Sequence, residues 1–126
     1  MERIFSKAKW EKDFSYCRAL KTGPFIYHTG TVALTDSGSL YSTDVSEQTK
    51  RVLELLEANL KKLGANRSNI VRTRIFITNQ ANAEQVGKVH GAFFSAHPPC
   101  TSMLVVKQLI NDEFLVEIEA DAILEQ

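Results

Sequence analysis

Three carboxylates at alternate positions of residues 115–122 are the side chains best placed to do chemistry. Apolar residues alternate with Glu117, Glu119 and Asp121 along this segment, and a period of two is that of a β-strand with one buried face. The carboxylates therefore share the other face, where a catalytic group or a salt-bridged acid could lie. From these residues alone, we interpret Glu117 as a solvated or salt-bridged carboxylate facing Arg72 or Arg74.

The cysteines and histidines form no recognisable catalytic or metal-binding pattern. Cys17 and Cys100 lack paired spacing, so we expect free, buried thiols that behave as small hydrophobic side chains. A thiol nucleophile at Cys100 would need His28, His90 or His97 as its base, and no spacing supports that pairing. The histidines make no HxH or HExxH cluster, and we expect neither a metal site nor a cofactor. We expect His28 to be a partly exposed strand residue.

The composition predicts a soluble, single-domain protein over residues 1–126. A chain of 126 residues can bury about two-thirds of its unfolded surface. Hydrophobic residues make up 44% and charged residues 24% of the chain, and no apolar run approaches the roughly 20 residues of a membrane span. Fifteen basic and fifteen acidic residues give zero net charge, which disfavours nucleic-acid binding. The N-terminal residues do not suit a targeting peptide, so we expect a cytoplasmic protein.

Two helices and five strands are expected to position these side chains. Strands over residues 14–21 and 25–34 flank the Gly23-Pro24 turn. A helix over 45–63 is predicted by apolar residues at helical spacing. Its expected N-cap is Asp44, with Glu47 three residues later. The remaining elements are a strand over 70–78, a helix with Asn82 as N-cap that stops before Pro98-Pro99, and strands over 100–106 and 115–122.

This order, ββαβαββ, predicts an α+β fold in which both helices cover one face of a mixed sheet. We see no internal repeat or low-complexity segment in the chain. The second face of such a sheet needs cover, and the chain has no further element to supply it. Self-association is therefore expected.

Nearly the whole length of the chain resembles the Rid family of reactive intermediate deaminases, also called the YjgF or endoribonuclease L-PSP family. The resemblance extends from Tyr16 through Gly30 and Ala92-Phe93-Phe94 to Val116-Glu117-Ile118-Glu119-Ala120. It implies the chorismate-mutase-like fold. It also implies a homotrimer that binds a small molecule in clefts between neighbouring subunits.

Four residues match cleft positions of that family. Tyr16 corresponds to the cleft tyrosine, although the family usually has Gly-Pro-Tyr where this chain has Phe14-Ser15-Tyr16. Thr29 stands at a serine that contacts the substrate, and Gly30 matches a glycine that lets the backbone approach a ligand. Glu117 matches the glutamate proposed to orient the water that attacks an imine carbon. Without the resemblance, Tyr16 and Thr29 are ordinary strand residues and Gly30 is a β-bulge.

Thr101 stands where the deaminating members carry an arginine. That arginine holds the carboxylate of a 2-imino acid through two charge-assisted hydrogen bonds, which a threonine hydroxyl cannot reproduce. Arg18, Arg72 or Arg74 could replace it, and Arg72 lies where relatives often have lysine, although strand arginines more often pair with carboxylates such as Glu119. We therefore place the chain in a subgroup lacking the substrate-binding arginine, with Thr101 and Arg72 as candidate ligand contacts.

The resemblance leaves three interpretations of the function. One is hydrolysis of an enamine, imine or related C–N bond in a ligand without the usual carboxylate. Another is a non-catalytic, ligand-binding or regulatory trimer that has kept the fold and lost the chemistry. A third, ribonuclease activity or translation inhibition, rests on the older family label, and the balanced charge counts against it.

Overall fold

A six-stranded mixed sheet forms the centre of the structure, a computed structural model that describes residues 1–125. The elements in chain order are β1 (Glu2–Ile4), α1 (Lys9–Phe14), β2 (Ala19–Thr22), β3 (Phe25–Thr31), α2 (Val45–Lys62), β4 (Ile70–Ile77), α3 (Ala83–Phe93), β5 (Cys100–Val105) and β6 (Val116–Ile123). The strand order across the sheet is β1-β2-β3-β6-β4-β5. Only the β4–β5 pair is parallel among these neighbours. The predicted α+β class and mixed sheet are confirmed, and β1 and α1 precede the predicted ββαβαββ order.

The core lies between the sheet and the two long helices. The apolar set of β6 is buried as its alternation predicted, while Glu117, Glu119 and Asp121 lie on the opposite, open face. The apolar stripe of α2 packs on these strands and includes Val52, Leu53, Leu56 and Leu60, each 0% exposed. Burying a side chain of this kind contributes about 1.5–3 kcal/mol to folding. Within residues 1–125, no helix combines the length and apolarity needed to cross a membrane.

The ends of the helices show which capping predictions were right. Asp44 caps α2, and its carboxylate accepts a hydrogen bond from the Glu47 backbone N–H at 2.9 Å. Asn82 does not cap α3, because its backbone is helical and it ends a short 3₁₀ turn, Gln80–Asn82. Asn79 caps that turn instead, accepting from the Ala81 N–H at 2.9 Å. The Asn82 prediction was therefore wrong, and the true start signal lies three residues earlier.

The predicted strand over residues 14–21 was wrong in its first half. Phe14 ends α1, Ser15 adopts a left-handed backbone with φ of 61°, and β2 begins only at Ala19. Such a conformation stops a helix and reverses the chain. Tyr16 and Arg18 consequently lie in the connection between α1 and β2 rather than within a strand.

Two irregularities interrupt the alternation of the central strands. The β3–β6 register shifts between His28 and Thr31, and β3 ends at Thr31, before the predicted end. A second shift, between Ile70 and Arg72, leaves Ile70 buried on the same side as Thr73. Since an extra residue in one strand resets which face each side chain meets, strict alternation did not hold in β4.

Candidate functional site

The candidate site is centred on the Glu117 carboxylate, which rests on the bulge of β3. Glu117 projects from the open face of β6, opposite Phe76 of β4. A Cβ atom on Gly30 would lie 2.6 Å from Oε2 of Glu117, a separation that real atoms do not tolerate. Glycine at position 30 therefore lets the carboxylate lie directly on the backbone. The predicted β-bulge at Gly30 is confirmed by the register shift between His28 and Thr31, whereas the approach of a ligand to Gly30 stays a prediction.

Arg18 lies beside this carboxylate. Its Nη2 donates to the Gly30 carbonyl at 3.4 Å, and only 15% of its side chain is exposed. Its guanidinium carbon lies 5.6 Å from the centre of the Tyr16 ring. The short helix α1, stopped at Ser15, turns the chain so that Tyr16 and Arg18 both reach the edge of the Glu117 site.

The surroundings shift the protonation equilibrium of Glu117. Burial raises the pKa of Glu117, because removal from water disfavours the ionised form, and the negative charge of Glu119 acts in the same direction. The positive charge of Arg18 opposes this rise in the Glu117 pKa. A carboxyl group whose pKa is raised toward neutrality is a stronger base once ionised, which is the property that general-base catalysis needs.

A buried acid, Glu11, completes this cluster from α1. Glu11 is 3% exposed, and its Oε2 lies 3.3 Å from Nε of Arg18. It also accepts hydrogen bonds from the Ser6 hydroxyl and from the Ser6 N–H, the latter at 2.8 Å. Sequence reasoning missed Glu11, because a six-residue helix is too short for its buried side to be recognised from periodicity.

Tyr16 and Thr29 border a cavity of about 500 Å³ next to this cluster. Arg3 and Lys12 contribute basic side chains to the same wall. The Thr29 hydroxyl donates to the Cys17 carbonyl at 2.6 Å, so it ties β3 to the segment that carries Tyr16. The predicted ligand contacts of Tyr16, Thr29 and Gly30 stay predictions, but the structure does bring these residues together with Glu117.

Thr101 lies elsewhere, on the helix-covered side of the sheet. Its register partner in parallel β4 is the buried Thr73, and the two hydroxyl oxygens are 2.8 Å apart. Nε2 of His90 in α3 lies 2.8 Å from the Thr73 hydroxyl, and burial lowers the pKa of His90. Because Glu117 projects from the opposite face, one chain does not bring Thr101 to it.

The strand arginines do not reach Glu117 either. Arg72 is exposed and lies opposite Asp121, and Nη1 of Arg74 is 3.4 Å from an oxygen of the same aspartate. The position opposite Glu117 belongs to Phe76. The predicted pairing of Glu117 with Arg72 or Arg74 was therefore wrong, and a role for Arg72 in ligand binding stays a prediction.

The cysteines and His28 differ from expectation in burial. Both thiols are free, but Cys100 is exposed and Cys17 half-buried, so the expected buried thiol at Cys100 was wrong. His28 is 3% exposed rather than partly exposed. Its Nδ1–H donates to the Thr29 carbonyl at 2.8 Å, and Nε2 accepts from Asn59 at 2.9 Å. Burial lowers the pKa of His28 to about 4, so it is a neutral structural residue.

No set of three His, Cys, Asp or Glu side chains is arranged to hold a metal ion in the part of the chain that the structure describes, residues 1–125. The cluster itself offers a carboxylate for proton transfer at Glu117, a guanidinium at Arg18 and a phenol at Tyr16. These groups can bind a small polar molecule and activate a water molecule beside it.

Known proteins resemble this chain in sequence and in fold. The family model described as Endoribonuclease L-PSP matches residues 8–124. The chain belongs to this family. A RutC family protein from Pyrococcus abyssi is 29% identical over 96% of this chain and 95% of its own length. Reactive Intermediate Deaminase A, chloroplastic, from Arabidopsis thaliana is 31% identical over 86% of this chain and 58% of its own.

A solved structure of the same family confirms the fold. A member of the YjgF/YER057c/UK114 family from Mycobacterium tuberculosis superimposes with a TM-score of 0.90 and 35% sequence identity, over 98% of each chain. The Endoribonuclease L-PSP match includes every residue of the cluster from Glu11 to Glu117. The predicted Rid/YjgF membership is thus confirmed.

Proposed function

We propose that this Endoribonuclease L-PSP family member hydrolyses the C–N bond of a small imine or enamine that lacks a carboxylate beside the reacting carbon. The observation that carries the proposal is the half-buried Glu117 carboxylate lying on Gly30, with its pKa raised by burial and a guanidinium beside it. A relative named as a reactive intermediate deaminase supports the same reaction class.

In the proposed reaction, Glu117 takes a proton from water as the water oxygen bonds to the imine carbon. The electron pair of the C=N double bond moves to nitrogen, which takes a proton from bulk solvent, and a carbinolamine with a C–N single bond forms. The Glu117 carboxyl then gives its proton to that nitrogen, the C–N bond breaks to release ammonia, and the hydroxyl oxygen loses its proton to bulk solvent as the carbonyl product forms. Tyr16 is proposed to contact the ligand from the cavity wall through its phenol.

The proposed substrate lacks a carboxylate because Thr101 replaces the arginine that would bind one. A neutral hydrogen bond from Thr101 contributes about 0.5–1.5 kcal/mol, against about 1.5–3 kcal/mol for each bond to a charged group. Replacing a bidentate arginine by threonine therefore weakens carboxylate binding by about tenfold to a hundredfold or more. Arg18 does not offer a free fork instead, because Glu11 lies 3.3 Å from its Nε and the Gly30 carbonyl 3.4 Å from its Nη2.

The proposal includes a homotrimer with the ligand between subunits. The open sheet face exposes 45% of Phe25 and 49% of Tyr27, and β5 at the edge exposes 46% of Leu104. Covering these surfaces would remove apolar area from water. A second subunit would also supply its Thr101 to the Glu117 cleft, because Thr101 does not reach the Glu117 of its own chain. Light scattering at micromolar concentration should report three subunits, and a monodisperse monomer would contradict the inter-subunit cleft.

The activity is tested with imines that two oxidases generate in situ in the assay. A flavin-dependent amine oxidase acting on benzylamine and aliphatic primary amines supplies imines without a carboxylate, and an amino-acid oxidase acting on leucine supplies a 2-imino acid. We expect the protein to accelerate ammonia release from the amine-derived imines, with little effect on the 2-imino acid. No acceleration with any of them would overturn the proposed activity. Ammonia release from the leucine-derived imine at the rate of an arginine-containing family deaminase would overturn the substrate class.

A further inference from the structure

A line of buried polar groups connects α1 to the proposed general base. Glu11 accepts two hydrogen bonds from Ser6, through its N–H at 2.8 Å and through its hydroxyl. Oε2 of Glu11 lies 3.3 Å from Nε of Arg18. Arg18 in turn reaches the carbonyl of Gly30, the residue against which the Glu117 carboxylate rests. Arg18 is thus set between one carboxylate from α1 and another from β6.

The way Arg18 is held points to a role for its charge. Its Nε is buried and has no hydrogen bond of acceptable geometry within residues 1–125, so ionic attraction to Glu11 is what holds this end of the guanidinium. A buried cation is stable only beside a compensating charge. Glu11, 2% exposed at its side chain, is that charge, and it is itself fixed by Ser6.

We propose that Glu11 is a positioning residue for Glu117: it offsets part of the positive charge that Arg18 presents to the general base, while the Gly30 carbonyl keeps the other end of the guanidinium beside Glu117. This inference rests on the proposed function of Glu117. With the offset removed, Arg18 would favour ionised Glu117 more strongly, and a carboxylate that is ionised too easily is a poorer proton acceptor.

None of the other groups described around Glu117 offsets the positive charge of Arg18. On its own strand the nearest charge is Glu119, which disfavours ionisation of Glu117. The facing residue of β4 is the uncharged Phe76, while Arg74 of that strand is drawn toward Asp121 at 3.4 Å. From β3 the contact is the Gly30 backbone. Arg18 is therefore the cation that acts on Glu117 in residues 1–125, and Glu11 is its buried partner.

The direct test is the pKa of Glu117 measured by NMR on protein with ¹³C-labelled glutamate side chains. The Glu117 carboxyl resonance is assigned by its loss in Glu117→Gln. Glu11→Gln keeps the size of the side chain and removes the charge, so the pKa of Glu117 should fall by about one pH unit. Arg18→Gln removes the opposite charge, and the Glu117 pKa should rise. Asp13→Asn, an exposed carboxylate on the same helix that pairs with Lys9 at 3.7 Å, is the matched control and should leave it unchanged.

A Glu117 pKa in Glu11→Gln equal to that of the Asp13→Asn control, or higher, would overturn the inference. If Glu11→Gln does not fold, Arg18→Gln serves alone, and an unchanged Glu117 pKa there would overturn it equally. The same shift should appear in the kinetics, where the acid limb of the kcat/KM profile for a benzylamine-derived imine should move to lower pH in Glu11→Gln. If the proposed function is wrong, the unchanged protein will not hydrolyse the imine. The NMR titration of Glu117 does not depend on that activity, so the two failures are distinguishable.

Discussion

Because His28 is buried in its neutral form, acidification should destabilise the protein at pH values well above those at which most carboxylates titrate. Burial lowers the pKa of His28 from 6.5 to about 4, and both ring nitrogens are engaged by uncharged partners. Between these two values the unfolded chain binds a proton that the folded chain does not. The stability due to neutral His28 is therefore complete above pH 6.5 and is lost as the pH falls toward 4. With these values, the free energy of unfolding falls by about 2 kcal/mol from pH 7.5 to pH 5.

The assay is urea unfolding at one fixed protein concentration at pH 7.5 and pH 5, with His28→Gln beside the unchanged protein. The lowered pKa of His90 adds to the loss and the raised pKa of Glu117 opposes it, so the comparison between the two proteins isolates His28. We expect the free energy of unfolding of His28→Gln to fall by about 2 kcal/mol less over this interval. The exposed His97, changed to Gln, is the control. An equal pH dependence in His28→Gln and the unchanged protein would refute the reasoning.

Three substitutions test other contacts. Gly30→Ala should still fold, because the new Cβ would lie 2.6 Å from the movable carboxylate end of Glu117, but the turnover rate should fall at least about tenfold. The control is Gly91→Ala, where the new Cβ would meet open space. Equal turnover rates in the two variants would contradict the proposed site. Thr73→Val removes the bonds to His90 and Thr101 and should lower the free energy of unfolding by about 1–3 kcal/mol in urea titrations, whereas no loss would show that these bonds contribute nothing. Thr101→Arg should raise hydrolysis of the leucine-derived 2-imino acid, and no increase would mean that position 101 does not face the ligand.

The parts of the fold that local periodicity determines could be predicted from the sequence. The buried set of β6 follows directly from alternation, and the start of α2 follows from Asp44 with Glu47 in the first turn. Both signals lie within a few consecutive residues, where side-chain direction is fixed by the type of backbone. Glu117 as an open-face carboxylate was therefore accessible from the sequence.

The cluster around Glu117 was not accessible in the same way. Contact between Glu11 and Arg18 depends on a six-residue helix and on the left-handed turn at Ser15. The sequence around Phe14 instead predicted a strand, so neither feature was recognised. The face that Thr101 occupies is set by its parallel register with Thr73, a pairing between segments distant in sequence. Bulges at β3 and β4 changed side-chain directions again, and no local signal beyond Gly30 marked them.

The central claim, that Glu117 is the general base, is tested most directly by comparing kcat and KM of Glu117→Gln and Glu119→Gln. The substrate is the amine-derived imine that the unchanged protein hydrolyses fastest. Glutamine keeps the size of the side chain but cannot accept the proton, so kcat of Glu117→Gln should fall by about 10²–10⁴-fold, with KM changed by less than about threefold. Glu119→Gln, on the same face of β6, should keep kcat within about threefold. A kcat for Glu117→Gln as high as that for Glu119→Gln would contradict the account.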